Sequence, residues 1–99
     1  MFRSFAQLLL PNGDQLAVRT YDLGLDGICV VAPVNLRLKS ECEIVFRVPI
    51  AGRNSDGIHA SGSVTHSILS RQQDGFMIGL DFCAIQERDL ALVKSYLGA

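Results

Sequence analysis

The stretch Asp22-Leu23-Gly24-Leu25-Asp26-Gly27 stands between two runs that read as strands. Leu16-Ala17-Val18-Arg19-Thr20-Tyr21 precedes it and Ile28-Cys29-Val30-Val31 follows it. Two glycines and two aspartates in six residues are more than a tight hairpin needs. Gly24 and Gly27 can adopt positive φ, and their lack of side chains lets a ligand come close to the backbone. Asp22 and Asp26 offer oxygen acceptors to the N–H donors of a base or an arginine. Such a turn is either a plain connection or one half of a nucleotide site, and its context decides between the two.

Working outward, the chain is a succession of short strands. Phe5 to Leu10 suits a strand and ends at Pro11-Asn12-Gly13-Asp14, where Asn-Gly supplies the positive-φ positions of a hairpin. Leu16, Val18 and Thr20 alternate with Ala17, Arg19 and Tyr21, so that strand has two different faces. Ile28 to Ala32 reads as a more buried strand, which Pro33 ends; a connection then runs to Ser40. Cys42, Ile44, Phe46 and Val48 alternate with Glu41, Glu43, Val45 and Arg47, placing one face in a core. Gly52 to Gly57 is a polar turn. Ile58 to Leu69 reads as a long strand with Ala60, Gly62, Val64, His66 and Ile68 on one face. Phe76, Ile78, Leu80 and Phe82 share a face of the next strand, and Gly79 within it suggests a bend or a close backbone contact at a barrel corner.

Only the end of the chain changes period. Leu90, Val93 and Leu97 recur at helical spacing, and Gly98 stands where a helix-terminating glycine belongs. Six strands at roughly ten-residue spacing followed by one helix predict a mainly all-β chain. The expected architecture is a six-stranded antiparallel β-barrel over about residues 4–83, closed by a C-terminal α-helix over about 86–97, as one domain spanning 1–99.

Composition narrows the function classes. The 99 residues are 48% hydrophobic and 19% charged, the balance of an ordinary folded domain. Nine basic and ten acidic residues are scattered to a net charge of −1, with no Lys/Arg block, so no nucleic-acid polymer is expected as a ligand. Cys29, Cys42 and Cys83 each sit among apolar residues and read as buried free thiols in a reducing cytosol. The start of the chain lacks the pattern of a secretory signal, and no apolar run approaches the length of a membrane span, so a cytoplasmic location is expected.

Catalysis is not expected. His59 and His66 are seven residues apart in one predicted strand, which points them to opposite faces and prevents joint metal binding. No HExxH, GxSxG or Walker-type sequence is present, and neither a metal nor a cofactor is expected. Among the dispersed arginines, Arg19 lies three residues before Asp22 and Arg3 precedes the first strand. Both fall near the glycine turn, where a guanidinium can clamp a phosphate or stack on a base.

Taken together, the strand order and three segments resemble the bacterial PilZ domain over nearly the whole chain. The segments are the turn at Asp22 to Gly27, Gly62-Ser63-Val64-Thr65-His66, and Gly75-Phe76-Met77-Ile78-Gly79-Leu80-Asp81-Phe82. The resemblance implies a barrel that binds the second messenger cyclic di-GMP and passes the signal to a protein effector in motility, biofilm or exopolysaccharide pathways. In that family a D/N-x-S-x-x-G turn packs against a guanine and a phosphate, and an R-x-x-x-R motif ahead of the first strand holds the ligand from the other side. The candidate ligand-binding residues are therefore Arg3, Asp22, Gly24, Gly27, Arg19 and His66.

Two departures shape the expectation. Gly24 replaces the usual serine, removing a hydroxyl hydrogen bond worth about 1 kcal/mol. Gln7 stands four residues after Arg3, and the arginine-bearing linker is expected to be largely absent. Each lost charge-assisted phosphate contact is worth roughly 1.5–3 kcal/mol, which together weakens binding by about two to four orders of magnitude. The competing reading is a PilZ-like protein–protein interaction module that works without the nucleotide. Self-association as a homodimer through a strand edge or the helix is a further expectation, and a chain this short is expected to act on another protein.

Overall fold

Period-two alternation sets the strands. In β4 (Glu41–Phe46), Cys42, Ile44 and Phe46 are buried while Glu41 and Glu43 are exposed, and Val48 continues the buried series. The same rule shapes β1 (Phe5–Leu9), β2 (Gln15–Leu23), β3 (Gly27–Ala32), β7 (Ile58–Ser70) and β8 (Gly75–Ile85). A computed structural model describes residues 4–98 of this chain. It joins these six strands into a closed antiparallel barrel in the order β1-β2-β3-β8-β7-β4, with β1 and β4 meeting through Leu8↔Ile44. Leu8, Val30, Ile44, Ile58 and Ile78 are fully buried inside it. The expected six-stranded barrel and terminal helix are therefore present. Pairing of Gln7–Leu9 with Glu43–Val45 joins the two ends of the sheet and closes the barrel.

The tight turns follow their residues, with two changes. At the first hairpin Gly13 alone takes positive φ (93°), and the Gly13 N–H to Leu10 carbonyl bond (2.9 Å) closes a one-glycine turn; Asn12 instead accepts the Asp14 N–H (2.9 Å). The polar segment at 52–57 is not wholly a turn. Two short strands, β5 (Pro49–Ile50) and β6 (Arg53–Asn54), form a separate ribbon. Its two-residue loop, Ala51 (φ 51°) and Gly52 (φ 78°), has both residues left-handed, as the twist of a tight hairpin requires.

Three bulges break the alternation. Each inserts one residue and turns every later side chain on that strand to the other face. Tyr21 is the extra residue between Thr20↔Val30 and Asp22↔Cys29, so Arg19 and Asp22 both face outward. Cys83 is the extra residue on β8. Thr65 is the extra residue on β7, between Val64↔Leu80 and His66↔Gly79. The burial that unites Ala60, Gly62 and Val64 consequently ends there. His66 and Ile68, expected on the same inner face, are exposed on the outer one. His59 and His66 then share the outer face instead of opposing each other.

The helix α1 (Glu87–Leu97) ends where Gly98 (φ 75°) turns its N–H back to the carbonyls of Lys94 and Ser95. Its inner face is displaced from the expected Leu90–Val93–Leu97 line: Asp89 and Val93 are buried, Leu92 and Tyr96 pack against the core, and Leu97 is exposed. The cause is Asp89, which is 2% exposed and accepts the His59 backbone N–H (3.2 Å) through Oδ2, with the Arg88 guanidinium 3.4 Å from Oδ1. Asp89 thereby rotates the first turn toward β7. Asp89→Ala leaves the His59 N–H without its acceptor and is expected to cost about 1–2 kcal/mol in urea unfolding, with Asp89→Asn recovering much of the loss.

Candidate functional site

The outward side chains of β2, β3, β8 and β7 form a row across the sheet. Register places Asp22 beside Cys29, Cys29 beside Gly79, and Gly79 beside His66. These residues, with Gly24, Gly27, Thr65 and Asp81, line a shallow groove of about 180 Å³. Four of the sequence candidates, Asp22, Gly24, Gly27 and His66, thus meet in one place. Arg3 lies outside the described residues.

Gly79 forms the floor of the groove. The His66 imidazole lies across it, in the space a β-carbon on Gly79 would occupy. Thr65 Oγ1 donates to the Gly79 carbonyl (3.2 Å) and lies 3.5 Å from His66 Nδ1, so the bulge residue helps hold the ring in place. The expected close contact at Gly79 is realised by a side chain of the neighbouring strand.

The glycine turn works differently from the expectation of positive φ. Asp22 and Leu23 belong to β2, and Gly27 opens β3, so the connection is Gly24-Leu25-Asp26 alone. Neither Gly24 nor Gly27 is among the positive-φ glycines. Gly27 is required by proximity, because a β-carbon there would run into the Leu80 carbonyl of β8. Gly24 donates its N–H to the Gly27 carbonyl (2.9 Å), and a β-carbon on it would approach nothing nearer than that oxygen at 3.9 Å. The Asp26 carbonyl accepts the Phe82 N–H (2.8 Å), stitching the turn to β8. Asp22 Oδ1 accepts the Leu23 N–H (3.0 Å), which fixes that carboxylate at the groove.

Arg19 does not line this groove. It lies in a second one, of about 570 Å³, with Ser4, Phe5, Tyr21, Gln72 and Gln73. Its guanidinium donates to the Gln73 carbonyl in the β7–β8 turn. Phe5, directly across from Arg19 on β1, is 77% exposed. Sequence reasoning missed Phe5, Tyr21 and the two glutamines; an aromatic residue on the polar face of an edge-polar strand was the available signal.

The three cysteines are not alike. Cys42 is buried, Cys29 is half-buried in the first groove, and Cys83 is exposed on β8, contrary to the expectation that all three are core residues. Cys83 is outward because it alternates with Leu80 and Phe82, which pair with the inward Val64 and Gly62. Burial raises the Cys29 thiol pKa, and the Asp22 carboxylate raises it further, so this thiol is held protonated at neutral pH. Among the described residues no cluster of three or more His, Cys, Asp or Glu could hold a metal ion, and no helix is long and apolar enough to cross a membrane.

No family model matches the sequence, and no curated protein does. Among solved structures, the Bacillus subtilis inhibitor of motility (MotI/DgrA) is similar in fold, with a TM-score of 0.82 at 15% identity. The match covers 98% of this chain and 46% of that one, so this chain spans about half the length of its structural neighbour. The two share the fold, and the barrel with one terminal helix has the architecture that the PilZ resemblance implies.

Proposed function

We propose that this chain is a PilZ-type regulator that binds cyclic di-GMP on the outer face of β2, β3, β8 and β7 and acts on a protein partner. The observation that carries this reading is the groove uniting Asp22, Gly24, Gly27 and His66, with the His66 ring lying over Gly79. A purine needs an acceptor for its N–H groups and a flat ring to lie against; Asp22 and the His66 imidazole over Gly79 have those properties. The fold shared with a protein described as an inhibitor of motility makes the motility apparatus the first partner to test.

A second reading, a module that works through protein contacts without the nucleotide, draws on a different observation. Ile68 and Leu69 are each 61% exposed near the β7–β8 tip, so that hairpin presents an apolar side chain to solvent on each of its faces.

Isothermal titration with cyclic di-GMP separates the two. Heat of binding at concentrations on the order of tens of micromolar supports the receptor, and its absence there leaves the interaction module. The open space at Gly24 allows a sharper test. Gly24→Ser adds a hydroxyl without a steric clash, and it is expected to tighten binding about fivefold, the effect of one hydrogen bond near 1 kcal/mol. Asp22→Ala is expected to weaken it. Unchanged affinity in both variants would place the nucleotide elsewhere.

A further inference from the structure

Among the described residues Arg19 has no carboxylate partner. The ion pair between Arg88 and Asp89 is the single one among the described residues, and the Arg19 guanidinium is occupied by a neutral acceptor, the Gln73 carbonyl. That contact joins residues 54 positions apart and ties β2 to the turn between β7 and β8. The turn is otherwise weakly held: Gln73 N–H to Ser70 Oγ and Asp74 N–H to the Arg71 carbonyl are both long, at 3.3 Å, and Asp74 is left-handed at φ 56°. The groove around Arg19, with the exposed Phe5 ring opposite and Tyr21 at the bulge, has room for a planar group beside the guanidinium.

We propose that Arg19 is a phosphate-binding residue held in reserve by the Gln73 carbonyl, so that a nucleotide phosphate entering the Phe5–Tyr21 groove takes the guanidinium from the 71–74 turn and loosens the end of the β7–β8 hairpin. A phosphate oxygen carries charge and a carbonyl does not, so the guanidinium exchanges one acceptor for a stronger one. The planar fork of the guanidinium suits two phosphate oxygens at once, whereas the carbonyl uses a single nitrogen. Ile68 and Leu69 stand on the strand that leads into the freed turn, so occupancy of the groove is passed to an apolar surface. The inference rests on the preceding reading for the guanine nucleotide as ligand, and on the Arg19 groove for the rest.

The test compares the full chain with Arg19→Gln by titration against cyclic di-GMP and against 5′-GMP, and by amide hydrogen exchange with and without each nucleotide. Arg19 is exposed, so the variant keeps its core. Without nucleotide, Arg19→Gln is expected to exchange several-fold faster at the amides of Gln73 to Gly75. Nucleotide is expected to speed those amides in the parent protein and to leave them unchanged in the variant, whose affinity falls about tenfold. Cyclic di-GMP binding that Arg19→Gln does not weaken, or that slows exchange at the turn, overturns the inference and leaves the receptor reading standing. Arg19-dependent binding of 5′-GMP alone supports the inference and overturns the cyclic di-GMP reading. Binding of neither nucleotide overturns both.

Discussion

Gly27→Ala is expected to destabilise the protein by about 2–3 kcal/mol and to lower its melting temperature by about 10–20 °C. Gly27 pairs with Asp81 where β3 begins, and a methyl group there points at the Leu80 carbonyl. That oxygen belongs to the backbone of a central strand. It can yield only if β3 and β8 separate locally, which weakens the Ile28↔Leu80 and Cys29↔Gly79 pairs that follow. Alanine also restricts the unfolded chain, which offsets the loss by about 0.4–1 kcal/mol. The clash is the larger effect, because strained or overpacked substitutions in well-packed regions cost about 1–3 kcal/mol even where side chains can adjust. Gly24→Ala supplies the control: its methyl group meets open space, and its stability is expected to stay within about 0.5 kcal/mol of the parent. Thermal melts of the two variants decide the point. Equal melting temperatures would mean that the turn region shifts freely and that Gly27 has no steric role.

The contrast between these two glycines marks how far the sequence was legible. Their place in a turn between strands could be read from the flanking alternation, but the reason for each could not. Gly27 is dictated by a carbonyl 53 residues away, and no local pattern announces a contact across a barrel. The barrel itself was readable because Leu8, Ile44 and Phe46 obey a period of two that only a half-buried strand produces. The helix stop was readable because Gly98 has the one conformation that favours glycine. Bulges defeat such reading. Thr65 is a residue of ordinary strand chemistry, so nothing in the sequence says that it is skipped by the ladder, yet it carries His66 from the core to the groove. Tyr21 does the same for Asp22, which would otherwise face inward in phase with Thr20. The candidate site therefore exists because two strands depart from the alternation that revealed them. Arg19 and Asp22 illustrate the remaining difficulty: three residues apart in sequence, they lie on the same outer face but line different grooves.

Phe46→Ala is expected to cost about 3–5 kcal/mol, enough to leave much of the chain unfolded at physiological temperature. Phe46 is the largest of the fully buried side chains, 1% exposed at the end of β4 beside Ile58. Its ring stacks nearly parallel to that of Phe82, with centroids 6.4 Å apart and planes 5° from each other. Truncation removes the transfer free energy of the ring and leaves a cavity under Phe82, and both terms act in the same direction. A barrel cannot relax into such a void easily, because each strand is paired on both sides and inward movement of one strains two ladders. Phe46→Leu keeps more of the volume and is expected to lose roughly half as much. Phe5→Ala gives the opposite result for the same amino acid: at 77% exposure it is expected to change stability by no more than about 0.5 kcal/mol. Urea unfolding of the three variants reads this directly, and a loss below about 1.5 kcal/mol for Phe46→Ala would show that the core repacks. The pairing also bears on function. A nucleotide affinity that falls in Phe5→Ala with stability intact assigns that ring to the ligand surface, whereas Phe46 reaches the ligand only by holding the barrel together.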